Sequence, residues 1–313
     1  MSAEDLDAPP RRSPLLWTVL VVGGLIIATI IASRVATDYL WFRSIDFQAV
    51  FTTRLAAQIG LLVGFALVMF AIVFVSMVIA YRLRPKVRRA NLDSEFLVQM
   101  RDVLDERSRF LMAVPSLIVA LLAGLTALGQ ADMFLAWLHR TPFGQSDPYF
   151  GVDASFYVFT LPWLQFVTGF LLFAVVLGGI GALSVHFLTG ALNASALRGK
   201  GSTSASVPAQ RQLSITLGIA ILLFGVRVVL DRYALNITPS TLFTGMGYTD
   251  FQTRMPVTAI VAAICVICAL ACFYNAWRVR WSVPAASIAL LVVSMLILSS
   301  LYPGWSRASA SPR

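Results

Sequence analysis

The side chains of this chain that could do polar chemistry are few, and they are kept apart from its apolar bulk: all 15 Asp and Glu residues lie outside seven long hydrophobic runs. Carboxylates inside a bilayer are the usual carriers of coupled protons and ions, so ion-coupled transport has no acid to run on within those runs. Seven aspartates, Asp38, Asp46, Asp132, Asp147, Asp153, Asp231 and Asp250, fall in the segments on one side of them. Asp147 and Asp153 lie close together on a segment rich in Pro, Gly and aromatics, Thr141 to Asp153. Two carboxylates there could cap helix starts, bind Ca²⁺ together with carbonyls, or line a polar entrance. Capping and turn formation is the better reading, because Asp is a common turn former and no complete Ca²⁺-loop pattern is present.

Two ionisable residues fall inside the runs, Arg227 and His186. An arginine at the bilayer centre costs about 2.5–3.5 kcal/mol on insertion scales and is a functional candidate by default. Arg227, however, precedes Asp231 by four residues near the end of its run, so it is expected to anchor there, its stem snorkelling and its guanidinium meeting that carboxylate. His186 is expected near the opposite membrane face, within reach of headgroups. It and His139 are too sparse a stock for a zinc site, which needs three or four protein ligands. Cys265, Cys268 and Cys272 share one helical face, but thiolates are needed for redox or metal chemistry and an apolar interior opposes them, so they read as small core residues. No nucleophile–base pair, phosphate-cradling glycine loop or metal motif is found, so no metal or cofactor is assigned.

The elements that must position these residues are membrane helices. Of 313 residues, 58% are hydrophobic and 12% charged, against about a quarter charged in a soluble domain. Spans of about 20 apolar residues are expected at 15–33, 55–80, 110–130, 163–188, 213–230, 257–277 and 283–301. The fold class is thus an all-α bundle of about seven transmembrane helices over 15–302, preceded by a disordered stretch at 1–14 and followed by a short disordered tail at 303–313. The net charge of +9 belongs to short loops rather than to a nucleic-acid surface. Fifteen of the 24 Lys and Arg fall on the side of the N-terminus and eight on the other, which predicts a cytoplasmic N-terminus and an extracytoplasmic C-terminus. All three long loops, after spans 1, 3 and 5, then face outward. On the inner side, Asn91 can cap a helix whose Phe96, Met100, Val103 and Leu104 make an apolar stripe, lying at the inner leaflet or packed on the bundle. Ala174, Gly178 and Ala182 repeat every fourth residue, a signal for close helix packing.

The outward loops carry a resemblance. Asp38-Tyr39-Leu40-Trp41-Phe42 with Val50, Phe51 and Thr53, Asp147-Pro148-Tyr149-Phe150-Gly151-Val152-Asp153 with Phe156, Tyr157, Leu161 and Pro162, and Leu230-Asp231-Arg232-Tyr233 with Gly245-Met246-Gly247-Tyr248-Thr249-Asp250 and Pro256 resemble the three outer loops of the bacterial multi-pass membrane proteins grouped as uncharacterised protein family 0182. The likeness runs from about residue 15 to 304. It implies a plasma-membrane protein whose larger members continue after the seventh span into a long extracytoplasmic region. This sequence departs from them after Gly304, where a tail of small residues and arginines follows. The leading expectation is a scaffold or assembly module of the bacterial envelope, contacting the lipid bilayer and either protein partners or further copies of itself, with no nucleic acid. An uncoupled transporter or lipid-handling protein is the alternative, with Arg227 and the outer aspartates at an entrance. A membrane enzyme acting on a lipid-linked substrate through Asp147 with Asp153 or Asp250 is the third. The binding candidates are Asp38, Asp147, Asp153, Arg227, Asp231, Tyr248 and Asp250.

Overall fold

The computed structural model describes residues 14–84, 95–192, 206–238, 245–247, 250–280 and 282–300. Among them the regular secondary structure is all helical, with one isolated bridge between Ser146 and Asp153 in the connecting loops. The helices are α1 (Pro14–Ser44), α2 (Gln48–Arg82), α3 (Glu95–Leu128), α4 (Ala131–Leu138), α5 (Leu161–Leu188), α6 (Val207–Ala234), α7 (Met255–Arg278) and α8 (Ser282–Ser300). Six of the described helices are long and apolar enough to cross a membrane, and the segment Ser282–Leu296 of α8 is a shorter apolar helix. At about 1.5 Å per residue, the 19 residues of α8 reach close to the thickness of a hydrocarbon core, about 30 Å.

The chain forms two units, Met1–Ala57 and Gln58–Arg313. In the first, α1 continues well past the apolar run expected to end at residue 33, so the long loop anticipated after it is helical and only residues 45–47 connect α1 to α2. The reason is local: residues 34–44 contain neither Gly nor Pro, and nothing breaks the hydrogen-bond ladder once hydropathy falls. Asp46 turns the chain in the left-handed region at φ 58°, a conformation Asp tolerates better than most residues. Phe51 packs on Tyr39 and Phe42 across this turn, with ring centroids 5.9 and 5.8 Å apart.

In the second unit, α5 and α6 form the centre, with α2 and α3 packed on one side of α5 and α7 on α6, while α8 packs against α7. The core is made of small residues and flexible apolar ones. Met69, Val73, Ala120, Ala123, Phe170 and Ala174 form one buried cluster among α2, α3 and α5, and Ile221, Val228, Val261, Cys265, Cys268, Ala269 and Cys272 another between α6 and α7. Leu, Ile and Val cover the opposite faces, exposed in the isolated chain, for example at Leu67, Leu122 and Ile267. That inversion of a soluble protein's pattern is expected when the solvent is lipid.

Close approach depends on glycines. A Cβ on Gly124 of α3 would lie 2.7 Å from the Leu62 carbonyl oxygen of α2, and one on Gly225 of α6 would lie 2.9 Å from the Cys265 Cβ of α7. The face of Ala174, Gly178 and Ala182 is buried and faces α2 of the same chain: Ile72 and Ser76 surround Gly178, and Ser76 Oγ donates to the Gly178 carbonyl at 2.8 Å.

Three further departures from the expected layout have physical causes. The segment expected to be a loop from about Ala131 to Pro162 contains α4, whose run Ala-Asp-Met-Phe-Leu-Ala-Trp-Leu has helical spacing, and a π turn, Phe156–Thr160. A second π turn, Asp250–Arg254, precedes α7. Each leads into a helix with proline in its first turn, Pro162 and Pro256. Proline offers no N–H to a carbonyl four residues back, and the turn widens so that Leu161 N–H reaches back to the Phe156 carbonyl. The inner-side helix and the third span are two helical segments that follow each other without a loop, joined at a kink where Arg107 leaves helical geometry (φ −127°, ψ 34°). The cap assigned to Asn91, like the stretches 1–13 and 303–313, lies outside the described residues.

Candidate functional site

α5 and α6 run antiparallel, Gln165 meeting Asp231 at one end and His186 meeting Gln212 at the other, which brings the loop between α4 and α5 to the same end as the one after α6. Asp147 ties the two together. Its carboxylate accepts from its own loop at Phe150 N (2.7 Å) and from Tyr157 Oη (3.1 Å), and from Asn236 Nδ2 beyond α6 (2.7 Å). Burial raises the Asp147 pKa, but these donors and the Tyr149 amide outweigh it and hold the acid below its ordinary value. Aromatic rings cover the junction. Tyr233 packs on Phe150 (4.6 Å) and Phe156 (5.5 Å), and Tyr149 on Phe251 (5.5 Å).

Asp153 organises its own loop. It accepts the backbone N–H groups of Phe143 (3.0 Å), Gly144 (2.8 Å) and Ser155 (2.8 Å). Ser155, through its side chain first and its amide as well, together with the Phe143 and Gly144 amides, holds the carboxyl down at about 2. Gly144 and Gly151 occupy the left-handed region at φ 73° and 66°, and the backbone closes between Asp147 N and the Val152 carbonyl at 2.8 Å and between Ala154 N and the Gln145 carbonyl at 2.9 Å. Both acids are therefore engaged in building the loop. A general acid or base needs a pKa near the working pH, and both carboxyls are displaced the other way.

A third polar knot joins α5 to α6. Arg227 Nε lies 3.1 Å from Asp231 Oδ1, its Nη1 donates to the Gln165 carbonyl at 2.8 Å, and Gln165 Nε2 donates to Asp231 Oδ1 at 2.9 Å. Sequence spacing pointed to the Arg227–Asp231 pair; Gln165, its third member, carries no signal in a single sequence. Asp38 is exposed on α1 in the first unit. Asp250 begins the second π turn, and Tyr248 lies outside the described residues. His139 is exposed, with Nδ1 3.0 Å from the Leu135 carbonyl. Among the described residues no three His, Cys, Asp or Glu side chains converge as a metal site would require.

His186 lies in the last turn of α5, at the end of the apolar run as expected, but it does not face outward toward headgroups. It is fully buried, with Nε2 2.9 Å from Gln212 Oε1, and Gln212 Nε2 donates to the Ser76 carbonyl at 2.8 Å. A carbonyl can only accept, so the amide nitrogen must face Ser76 and the amide oxygen must face His186. The His186 proton is thereby fixed on Nε2. The unexpected burial has a simple origin. Gln210, Arg211 and Gln212 lower the hydropathy ahead of residue 213, yet Pro208 in the first turn opens α6 at Val207, and the extra turns cover the imidazole. Two residues on, Ser214 Oγ accepts from Asn275 Nδ2 at 2.9 Å, joining α6 to α7. The three cysteines lie buried on the α6-facing side of α7, where Cys272 Sγ is 3.7 Å from Ser287 Oγ of α8.

The sequence model of the Uncharacterised protein family (UPF0182) matches residues 15–309. The chain belongs to that family. It is 35% identical over 301 residues to UPF0182 protein SCO5204 of Streptomyces coelicolor and 36% identical over 299 residues to a UPF0182 protein of Saccharopolyspora erythraea, each match covering 94% of this chain and 30% of the relative. A UPF0182 protein of Frankia casuarinae is 35% identical over 293 residues, covering 93% of this chain and 28% of its own length. This UPF0182 chain thus spans about 30% of the length of the curated relatives it matches. No solved structure matches it.

Proposed function

We propose that this UPF0182 chain is a scaffold module of the bacterial plasma membrane, with its N-terminus cytoplasmic and the Asp147–Asn236 end of the bundle extracytoplasmic, where it seats envelope proteins or the remaining region of longer family members. The observation that carries the reading is the hydrogen-bonded tie between the two loops at that end combined with what they expose. Two loops are locked to each other through one carboxylate, while Phe143, Tyr149, Ile237 and Phe251 remain exposed on them. The two loop carboxylates are engaged internally while large apolar side chains are presented, as at the centre of a protein contact surface. Interfacial aromatics also anchor helices at headgroups, and the two roles separate experimentally.

A photo-crosslinking residue placed at Tyr149 or Phe143 in native membranes should trap a discrete protein, or a second copy, in adducts that disappear when Asp147→Ala loosens the platform. Recovery of lipid adducts and monomer alone would overturn the scaffold reading. Cysteine accessibility at Ser146 from outside intact cells, with none at Ser206, is the orientation result expected.

A further inference from the structure

At the other end of α6 the bundle is incompletely closed. A groove of about 440 Å³ runs along α6, with Leu217 and Ala220 on its floor, Val176 and Ile180 of α5 on one wall and Ile288 of α8 on the other. The volume falls within the range of about 300–1,000 Å³ typical of small-molecule sites. Its walls are apolar, and polar groups gather at one end, where Ser214, Asn275 and Arg280 lie. Ser214 and Asn275 are satisfied by each other, and Asn275 Oδ1 accepts the Arg280 backbone N–H at 2.9 Å. That bond follows the left-handed cap at Val279 (φ 54°) and holds Arg280 at the groove mouth with its side chain exposed. Arg211 and Arg278 are also exposed at this end, and Arg278 Nε donates to Tyr274 Oη at 2.9 Å. Among the described residues none of the three arginines pairs with a carboxylate.

We propose that this groove binds an anionic phospholipid, one acyl chain lying along α6 between α5 and α8 and the phosphate on Arg280. The argument rests on charge complementarity rather than on the apolar walls. A lipid tail leaving the bilayer for an apolar groove gains little, since hydrocarbon surrounds it in both places. Selectivity therefore has to come from the headgroup. The Arg280 guanidinium can hold a phosphate through two parallel hydrogen bonds, and Arg211 and Arg278 add positive potential. Basic pockets between membrane helices recognise anionic headgroups on this basis. The site is independent of the scaffold reading, since it lies at the opposite end of α6 from the Asp147 platform.

The test uses the full chain purified in mild detergent, titrated with phosphatidylglycerol or phosphatidylcholine of identical acyl chains and read by native mass spectrometry. Phosphatidylglycerol should be retained preferentially, and Arg280→Gln should lower that preference about fivefold, the weight of one arginine at an anionic surface, while Arg280→Lys keeps part of it. Ala220→Phe, which fills the floor, should cut retention of both lipids at the site. A phosphatidylglycerol carrying a photoreactive acyl chain tests the wild-type chain without relying on any variant folding. Adducts should concentrate on peptides containing 175–183, 213–220 and 284–288. Equal retention of the two lipids by the wild type, a preference unchanged in Arg280→Gln, or adducts spread evenly over all helices would each overturn the proposal.

Discussion

Replacing Gln212 by leucine removes the one acceptor for the His186 Nε2 proton in a site where His186 is fully buried and Gln212 is 8% exposed. The Ser76 carbonyl loses its Gln212 donor but keeps its place in the hydrogen-bond ladder of α2. The imidazole N–H does not recover a partner. Leaving a buried donor unsatisfied costs about 1–3 kcal/mol, and side-chain hydrogen bonds measured inside membrane proteins average about 0.6 kcal/mol with a maximum of about 1.7. Gln212→Leu should thus destabilise by about 1–1.5 kcal/mol, near the upper membrane value because the donor stays orphaned. His186→Leu should cost a similar amount, since it orphans the Gln212 oxygen. The double variant removes both polar groups together, and replacing a pair with apolar groups of like size is close to neutral. It should be at least as stable as either single variant, a coupling well above the ~0.3–0.5 kcal/mol scatter of independent sites. Reversible unfolding in mixed micelles of the four proteins in the cycle measures this. Additive losses in the double variant, or a Gln212→Leu protein as stable as the wild type, would refute the bond and the proton placement derived from it.

Other expectations follow from close approach and charge. Gly124→Ala should lower the melting temperature, costing about 1–3 kcal/mol as overpacking does, because its Cβ would meet the Leu62 carbonyl at 2.7 Å. Gly64→Ala, with nothing within 4 Å, should raise the melting temperature, gaining up to about 1 kcal/mol of helix propensity. For Asp153 the folded pKa is lowered from 3.8 to about 2. Its contribution to loop stability is therefore complete above the unfolded value and lost as pH falls through about 2; the amide resonances of Phe143, Gly144 and Ser155 should titrate with that midpoint, and a midpoint at the ordinary value would count against the contacts. Arg227→Gln should change unfolding stability by less than about 1 kcal/mol, since both members of the pair are substantially exposed, at 36% and 48%.

What could be read from the sequence divides by physical cause. Apolar runs locate the helices because crossing lipid imposes a length and excludes charge, and the all-α class follows from that constraint alone. Helix ends were misjudged wherever hydropathy and helix propensity part company. At residues 34–44 and 207–212 the chain turns polar but stays helical, and the errors there turned the α1–α2 turn into a loop and exposed His186 on paper. The packing face of Ala174, Gly178 and Ala182 was legible as a face, whereas its partner α2 was not, since a small residue says that something approaches without saying what. The capping character of Asp147 and Asp153 was legible from residue type and turn context. Asn236, Gln165, Gln212 and Asn275 were not, because an amide in a loop or at a helix end looks like any solvated residue until the partner across the bundle is known.

The distribution of polar atoms along α6 follows from what each can cost. Its middle, from Gly218 to Gly225, meets Phe273 and Cys265 through glycines, an apolar contact that leaves nothing unsatisfied. Polar side chains occur only toward its ends, Gln212 and Ser214 at one and Arg227 and Asp231 at the other, where each has partners on neighbouring helices or within its own turn. An amide left unpaired at the centre has no water to fall back on, and the polar bonds that select α2, α5 and α7 are accordingly kept out of the middle of the helix. The helix is in this way pinned at both ends and smooth between them. The platform at Asp147 and the groove at Arg280 are fixed to the two ends of the same rod, so a partner bound at one end would meet a framework whose opposite end is anchored by polar bonds of its own.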